Sequence, residues 1–269
     1  IDSATIVRVL NMLLSSENGL KQKTFSARFL GYEKDEGKYM KIACSGIDVE
    51  RFEISCTGET LAQNIEKIFY HQEEPCFSSS IAAQWAVMKL VSQNNVTVLI
   101  DGQGADEYLA GYGRYYGITF KELLLSDKRA LWREIEAYNS IRKNKFKINN
   151  KFILEARVPQ LLRFIGKMKR DFYAPDYLKD FSKSFIGAYC KTDPPFVSST
   201  NLHDELKFST RSYGLGKLLR YSDRNSMAFS REVRLPFLYH KLVEFVFSLP
   251  NYMKIHKGYN KYILRKAFS

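Results

Sequence analysis

The stretch from Val96 to Tyr112, Val-Thr-Val-Leu-Ile-Asp-Gly-Gln-Gly-Ala-Asp-Glu-Tyr-Leu-Ala-Gly-Tyr, constrains this chain more than any other. Val96 to Ile100, apolar or β-branched and closed by Asp101-Gly102, predict a strand buried on both faces, as in a parallel sheet. A helix should open at Ala105. Gly102 and Gly104 flank Gln103 and let backbone N–H groups approach a ligand, while Asp106 and Glu107 put negative charge in the first turn, where the helix dipole favours it. Ligands of open α/β sheets bind at such junctions. An ordinary βα connection has the same outline. The acids distinguish this one, because a loop offering Asp101, Asp106 and Glu107 suits phosphate only through a bound divalent cation.

Upstream, helix and strand alternate. Residues 3–14 are apolar at helical spacing, and Lys23–Phe29 and Asp48–Ile54 read as strands with a helix over Asp35–Cys44 between them. Thr57 is a candidate N-cap for a helix with Leu61, Ile65, Ile68 and Phe69 on one face, ending near His71. Glu73-Glu74-Pro75 breaks the chain, and Ser78 to Ser80 can cap a helix through Trp85 and Val91 into the 96–100 strand. Such alternation implies a parallel sheet with helices on both faces. From Phe120 onward the character changes, with helical periodicity over 121–143, 159–170, 176–187, 204–220, 240–248 and 259–268. The expected organisation is one domain over 1–269, with an α/β nucleotide-binding half (1–120) and a mostly helical half (121–269).

The 269 residues can bury a sizeable core. No apolar run reaches eighteen residues, roughly the least that crosses a bilayer, so we expect no transmembrane helix and a soluble protein. Cys44, Cys56, Cys76 and Cys190 show no CxxC pairing, and the histidines have no metal-ligand spacing with them. Free thiols in a reducing, cytoplasmic compartment follow, and a zinc site is disfavoured. A net charge of +12 suits a polyanionic ligand, although most of the basic residues lie on stretches that read as solvated helix faces.

Three segments then converge on one family. Asp101 to Tyr116 resembles the SGxGADELFGGYxRY signature of glutamine-dependent asparagine synthetases. Ser222-Asp-Arg-Asn-Ser-Met-Ala228 with Arg231-Glu-Val-Arg-Leu-Pro-Phe-Leu238 resembles the family's D-R-x-S-M-A and E-x-R-x-P-F-L block, and Gly258-Tyr-Asn-Lys-Tyr-Ile-Leu-Arg265 its G-x-x-K-x-x-L-R. Ile1-Asp2-Ser3 matches the end of the S-G-G-x-D-S pyrophosphate loop, so the chain reads as a synthetase domain entered partway, with the first strand and a glutaminase domain upstream.

The resemblance implies a doubly wound parallel sheet of the adenine nucleotide α-hydrolase-like, PP-loop ATP pyrophosphatase type, with a helical C-terminal half. It also implies a chemistry: a carboxylate attacks the α-phosphorus of ATP, pyrophosphate leaves, and an amine displaces AMP to give an amide. By the same resemblance Asp2 and Asp106 would hold Mg²⁺, and Ser3 would bond a phosphate oxygen. Ser26 and Ala27 would line the adenine pocket, with Asp101, Gly102 and Gln103 bordering ribose, α-phosphate and acyl substrate. Lys261 would stabilise the transition state, and Glu232 would help deprotonate the amine. Plainer roles compete: a helix-end charge for Asp106, an N-cap for Ser3, small core residues for Ser26 and Ala27, an exposed helix lysine for Lys261, and an ion pair with Arg234 or Arg224 for Glu232.

The expected small-molecule partners are ATP, ammonia, and aspartate or another carboxylate. A glutaminase domain in cis is expected, a homodimer is compatible, and no membrane is involved. Gln103 stands where asparagine synthetases carry Asp or Glu, so a different acid, such as a sugar acid, a peptide or a secondary metabolite, is the alternative substrate. The absence of basic–aromatic interleaving and the acidic main motif argue against nucleic acid. A catalytically inactive domain is the remaining alternative.

Overall fold

The computed structural model describes residues 1–14, 21–33, 35–74, 78–159, 181, 182, 184, 185, 188, 201–212 and 214–268. In chain order these form α1 (Asp2–Leu14), β1 (Gln22–Arg28), α2 (Gly37–Ala43), β2 (Val49–Ser55), α3 (Gly58–Gln72), α4 (Ser79–Gln93), β3 (Val98–Ile100) and α5 (Ala105–Tyr108). Then come α6 (Arg114–Ser126), α7 (Lys128–Ile141), α8 (Asn150–Arg157), α9 (Leu202–Arg211), α10 (Leu215–Met227), β4 (Glu232–Arg234), α11 (His240–Ser248), β5 (Ile255–His256), β6 (Tyr259–Asn260) and α12 (Tyr262–Ala267). The chain divides into two compact units, one built chiefly from residues 1–105 and 214–243, the other from 106–213 and 244–267.

The first unit holds the parallel strands. β1 and β2 run in register from Gln22 opposite Val49 to Arg28 opposite Ser55, and Phe25 stacks on Phe52 at 5.1 Å. β3 pairs with β4, Val98 opposite Glu232 and Ile100 opposite Arg234. Thr57 caps α3 as expected: its Oγ1 accepts from the Thr60 N–H at 3.2 Å while its own N–H donates to Thr60 Oγ1 at 2.9 Å, a reciprocal box that satisfies two helix-end donors. Ser78 caps α4. Ile68, Ile81, Trp85 and Tyr221 form a buried cluster, with Phe229 edge-on to Trp85 at 4.7 Å.

Within that cluster the Asp-Arg-Asn-Ser-Met-Ala segment is a packing face. Asn225, fully buried on α10, donates to the carbonyl of Ile81 and to Gln84, and accepts from Gln72 on α3. Three elements are thereby joined through one side chain.

The second unit packs Tyr115, Tyr116 and Phe120 of α6 against Leu131 and Ile135 of α7, Leu202 and Leu206 of α9, and Ile255. Tyr116 and Phe120, at i and i+4 on α6, share one face of the helix.

The expected mixed α/β architecture, mainly helical and with parallel strand pairs, is what the described residues form. Those strands pair two by two, β1 with β2, β3 with β4, and β5 with β6 as an antiparallel hairpin. Several finer expectations need correction. β3 is not buried on both faces: Val98 and Ile100, two residues apart and so on one face of the strand, are 38% and 42% exposed, while Leu99 on the other face is half-buried. The segment 121–143 is two helices, because Asp127 leaves the helical conformation (φ −146°) and caps α7 through the N–H groups of Arg129 and Ala130. The segment 204–220 is divided at Gly214, whose φ of 94° suits glycine. A hairpin occupies 255–260, so the last helix begins only at Tyr262. α8 lies outside every segment with expected helical periodicity. The helices expected over 159–170 and 176–187, and Cys76 and Cys190, lie wholly or largely outside the described residues. Cys44 and Cys56 are free thiols. No helix among the described residues is long and apolar enough to cross a membrane.

Candidate active site

In the first unit, the turn after β3 lies against the start of α1. The Asp101 N–H donates to the carbonyl of Arg234, continuing the β3–β4 ladder one residue past the strand, and its carboxylate accepts the Gly102 N–H at 2.6 Å. A Cβ on Gly102 would sit 3.0 Å from Cβ of Asp2 and 3.1 Å from the backbone N of Ser3, so the absence of a side chain there is what lets the turn meet the helix end. Burial holds the Asp101 carboxyl above its ordinary pKa, the Gly102 N–H opposes this, and the charge of Asp2 adds to the upward shift. Asp2, Ser3, Asp101 and Gly102 are thus brought together, beside backbone N–H groups at a helix N-terminus, an arrangement that attracts anions. Gln103 adjoins them, and its buried Oε1 has no hydrogen-bond partner among the described residues.

The second unit contains the other half of the acidic pattern. Asp106 Oδ1 and Lys261 Nζ form an ion pair at 2.6 Å, with Lys261 only 4% exposed and the Asp106 side chain 38% exposed. Lys261 is therefore not an exposed helix lysine. Gly111 makes the pair possible: its N–H donates to the carbonyl of Asp106 at 2.9 Å, and a Cβ in its place would overlap Asp106 Oδ1 and Lys261 Cε. Asn260 donates its side-chain amide to the carbonyl of Gly111, which ties β6 to the same loop. Glu107 is a structural acid, 2% exposed and receiving the Tyr112 hydroxyl at 2.7 Å. Burial, reinforced by that carboxylate, raises the Tyr112 pKa above its usual value.

Lys261 follows a hairpin whose turn is fixed by a residue the sequence reading passed over. Glu134 of α7 accepts the N–H of Lys257 at 2.9 Å on one carboxylate oxygen and the N–H of Gly258 at 3.1 Å on the other, and it also meets His256 Nδ1 at 2.9 Å. A Cβ on Gly258 (φ 72°) would lie 2.7 Å from the backbone of Ala137 and Tyr138, and the Gly258 carbonyl accepts the Tyr116 hydroxyl at 2.9 Å. One signal could have revealed Glu134: it is a carboxylate on the apolar face of α7, between Leu131 and Ile135.

The remaining candidates have plain locations. Ser26 and Ala27, half-buried in β1, stand opposite Glu53 and Ile54. Glu232 begins β4 beside Val98, and its carboxylate accepts Arg234 Nε at 2.8 Å, both side chains being more than half exposed. Arg224 pairs instead with Glu73. Among the described residues no group of three or more His, Cys, Asp or Glu side chains is placed to hold a metal. Magnesium bound chiefly by phosphate oxygens asks for only one or two protein carboxylates.

Glutamine-hydrolyzing asparagine synthetase 1 of Bacillus subtilis is 24% identical over 279 residues, covering 99% of this chain and 42% of the relative. Amidase chyE of Penicillium rubens is 24% identical over 263 residues, covering 87% of this chain and 38% of the relative. Glutamine-hydrolyzing asparagine synthetase 3 of B. subtilis is 54% identical over 50 residues, 19% of this chain and 8% of the relative. The chain thus spans about two fifths of the first two relatives' length. The family model described as Asparagine synthase matches residues 1–269, and the chain belongs to the asparagine synthase family.

Proposed function

We propose that this chain is the carboxylate-activating part of an ATP-dependent, amide-forming ligase. Its main support is the buried Lys261 ammonium paired with Asp106 at 2.6 Å, two residues at matching motif positions far apart in sequence. The substrate carboxylate oxygen attacks the α-phosphorus of ATP, the bond to pyrophosphate breaks, and an acyl-adenylate forms. Ammonia then attacks the acyl carbon, AMP departs with the bonding electrons, and the nitrogen loses a proton. A carboxylate is a poor acylating agent, and AMP is a good leaving group. Little acid–base chemistry is needed at phosphorus, so positioning and charge neutralisation dominate.

Each residue then has a task. Asp2 and Ser3 present the N-terminus of α1 to phosphate, while Asp101, Gly102 and Gln103 border the nucleotide and the acid. Ser26 and Ala27 line the adenine pocket. Asp2 and Asp106 would hold Mg²⁺, which would neutralise phosphate charge. Lys261 stabilises negative charge on the leaving pyrophosphate. Glu232 deprotonates the amine, for which it must exchange its bond to Arg234. The fold of this reading is a doubly wound PP-loop sheet. Aspartate is the acid, a glutaminase domain in cis supplies ammonia from glutamine, and the protein works in the cytoplasm, where a homodimer is compatible with its chemistry.

A second reading changes only the acid. Gln103 cannot act as a base or repel a carboxylate, and its buried Oε1 is free to accept a donor on a different substrate. One experiment separates the readings. The full-length protein is incubated with ATP, Mg²⁺ and labelled pyrophosphate, and exchange of label into ATP is followed with aspartate and with other carboxylic acids. Exchange with aspartate that disappears in Asp106→Asn is the expected result. Exchange only with another acid selects the second reading, and no exchange with any acid overturns both.

A further inference from the structure

We propose that a pocket beside the β5–β6 hairpin, within the second unit, binds a multiply charged phosphate anion at a site separate from the Asp106–Lys261 pair. The pocket has a volume of about 420 Å³. Tyr138, Arg142, Lys143, Asn144, Tyr259 and Arg265 line most of it, and among the described residues no carboxylate does.

How its cations are held is the main reason for assigning an anion. Arg142, at the C-cap of α7, places its guanidinium 4.9 Å from the Tyr116 ring and 5.1 Å from the Tyr138 ring, and donates to the Tyr116 hydroxyl at 2.9 Å. Its buried Nε has no hydrogen-bond partner among the described residues. Arg265, on α12, donates to the Asn260 carbonyl at 2.9 Å and to Asn260 Oδ1 at 3.2 Å, with the Tyr259 ring 5.5 Å away. Rings, a hydroxyl and amide oxygens orient both guanidiniums without cancelling their charge. Lys143 adds a third, exposed cation. The C-terminal dipole of α7 accounts for Arg142 and Lys143 alone. It does not account for Arg265, which arrives from another helix and adds to the repulsion.

Fixed guanidinium forks match phosphate oxygens, and three positive charges favour an anion of more than one charge over a single carboxylate. Tyr259, 43% exposed, offers a ring beside which a base can lie, so the phosphate can come from a nucleotide or from an inorganic anion.

This site does not depend on the ligase reading, and its test is kept apart from it. Full-length protein carrying Lys261→Ala, in EDTA so that no magnesium is present, is titrated calorimetrically with pyrophosphate and, separately, with AMP. Saturable binding is expected, and Lys143→Glu in the same background should weaken it by at least about tenfold. Lys143 is exposed, so the reversal should leave the near-ultraviolet circular dichroism unchanged. Tighter binding of AMP assigns a nucleotide, and tighter binding of pyrophosphate assigns an inorganic anion. Binding of neither probe, or binding that Lys143→Glu leaves intact, overturns the proposal. In the Lys261-intact protein Lys143→Glu should keep pyrophosphate exchange, which separates a failure here from a failure of the ligase reading.

Discussion

Lys261 has an ammonium group in a nearly dry place, on a backbone turned to positive φ (49°), with Asp106 as counter-charge and Gly111 as the only residue that fits beside both. The two members of the pair are not equivalent. Asp106 keeps more than a third of its side chain in water, whereas Lys261 keeps almost none. Removing the carboxylate leaves a buried cation with less compensation; removing the amine leaves a carboxylate that water can reach. Asp106→Asn should therefore destabilise the protein by on the order of 1–3 kcal/mol, below the range for fully buried pairs because of that exposure. Lys261→Met should cost less. Urea melts of the two variants compare them directly, and equal losses would refute the asymmetry. Gly111→Ala should behave as a loss of the pair itself: exchange activity falls by roughly a hundredfold or more, as when a charge-stabilising donor is removed from an active site.

At the scale of elements, the hairpin that delivers Lys261 is held from α7. Glu134 receives two consecutive backbone N–H groups, which the short β5–β6 ladder leaves unpaired. Glu134→Ala should cost about 1–3 kcal/mol, the penalty for buried donors without an acceptor, and should speed hydrogen exchange at the Lys257 and Gly258 amides. Unchanged protection at those amides would falsify the latch. This element also marks a limit of reading from sequence. Caps at Thr57 and Ser78 were legible because a hydroxyl bonding its own helix end is a local event. A turn held by a carboxylate 123 residues away has no local signature, so 259–268 reads as one helix although its first residues form a strand. The division of 121–143 is a near case: Asp127 is a good cap, but the apolar spacing continues across it and hides the break. The site shows the same contrast. Its acids and glycines stand out as a motif, whereas Asn260 and Glu134, which position them, look like ordinary polar residues.

For the molecule as a whole, the two units are non-contiguous, since 214–243 joins the unit of 1–105. No compositional boundary announces this. The reason is visible in Asn225 and Gln72, whose bond links α10 to α3 across 153 residues, and in β4, whose partner is β3. Net charge is likewise a property of the entire chain, and at +12 the self-repulsion of the folded state lessens as pH rises. One buried group makes a separable contribution. Lys254 is fully buried and donates to the Leu249 carbonyl at 2.6 Å; burial lowers its pKa from 10.5 to about 8, against the upward pull of Glu122. The folded state thus gives up this proton more readily than the unfolded chain. Between about pH 8 and the unfolded value the unfolded chain binds more protons, so the lysine's contribution to stability is complete above 10.5 and is lost as pH falls through about 8. Lys254→Met removes this titration and leaves the other charges nearly unchanged. Wild type should therefore gain stability relative to Lys254→Met between about pH 7 and about pH 10, as measured by denaturant unfolding of both proteins at each pH. A stability difference that stays flat over that interval would show that Lys254 remains protonated when buried, with the Leu249 carbonyl and Glu122 together compensating its charge.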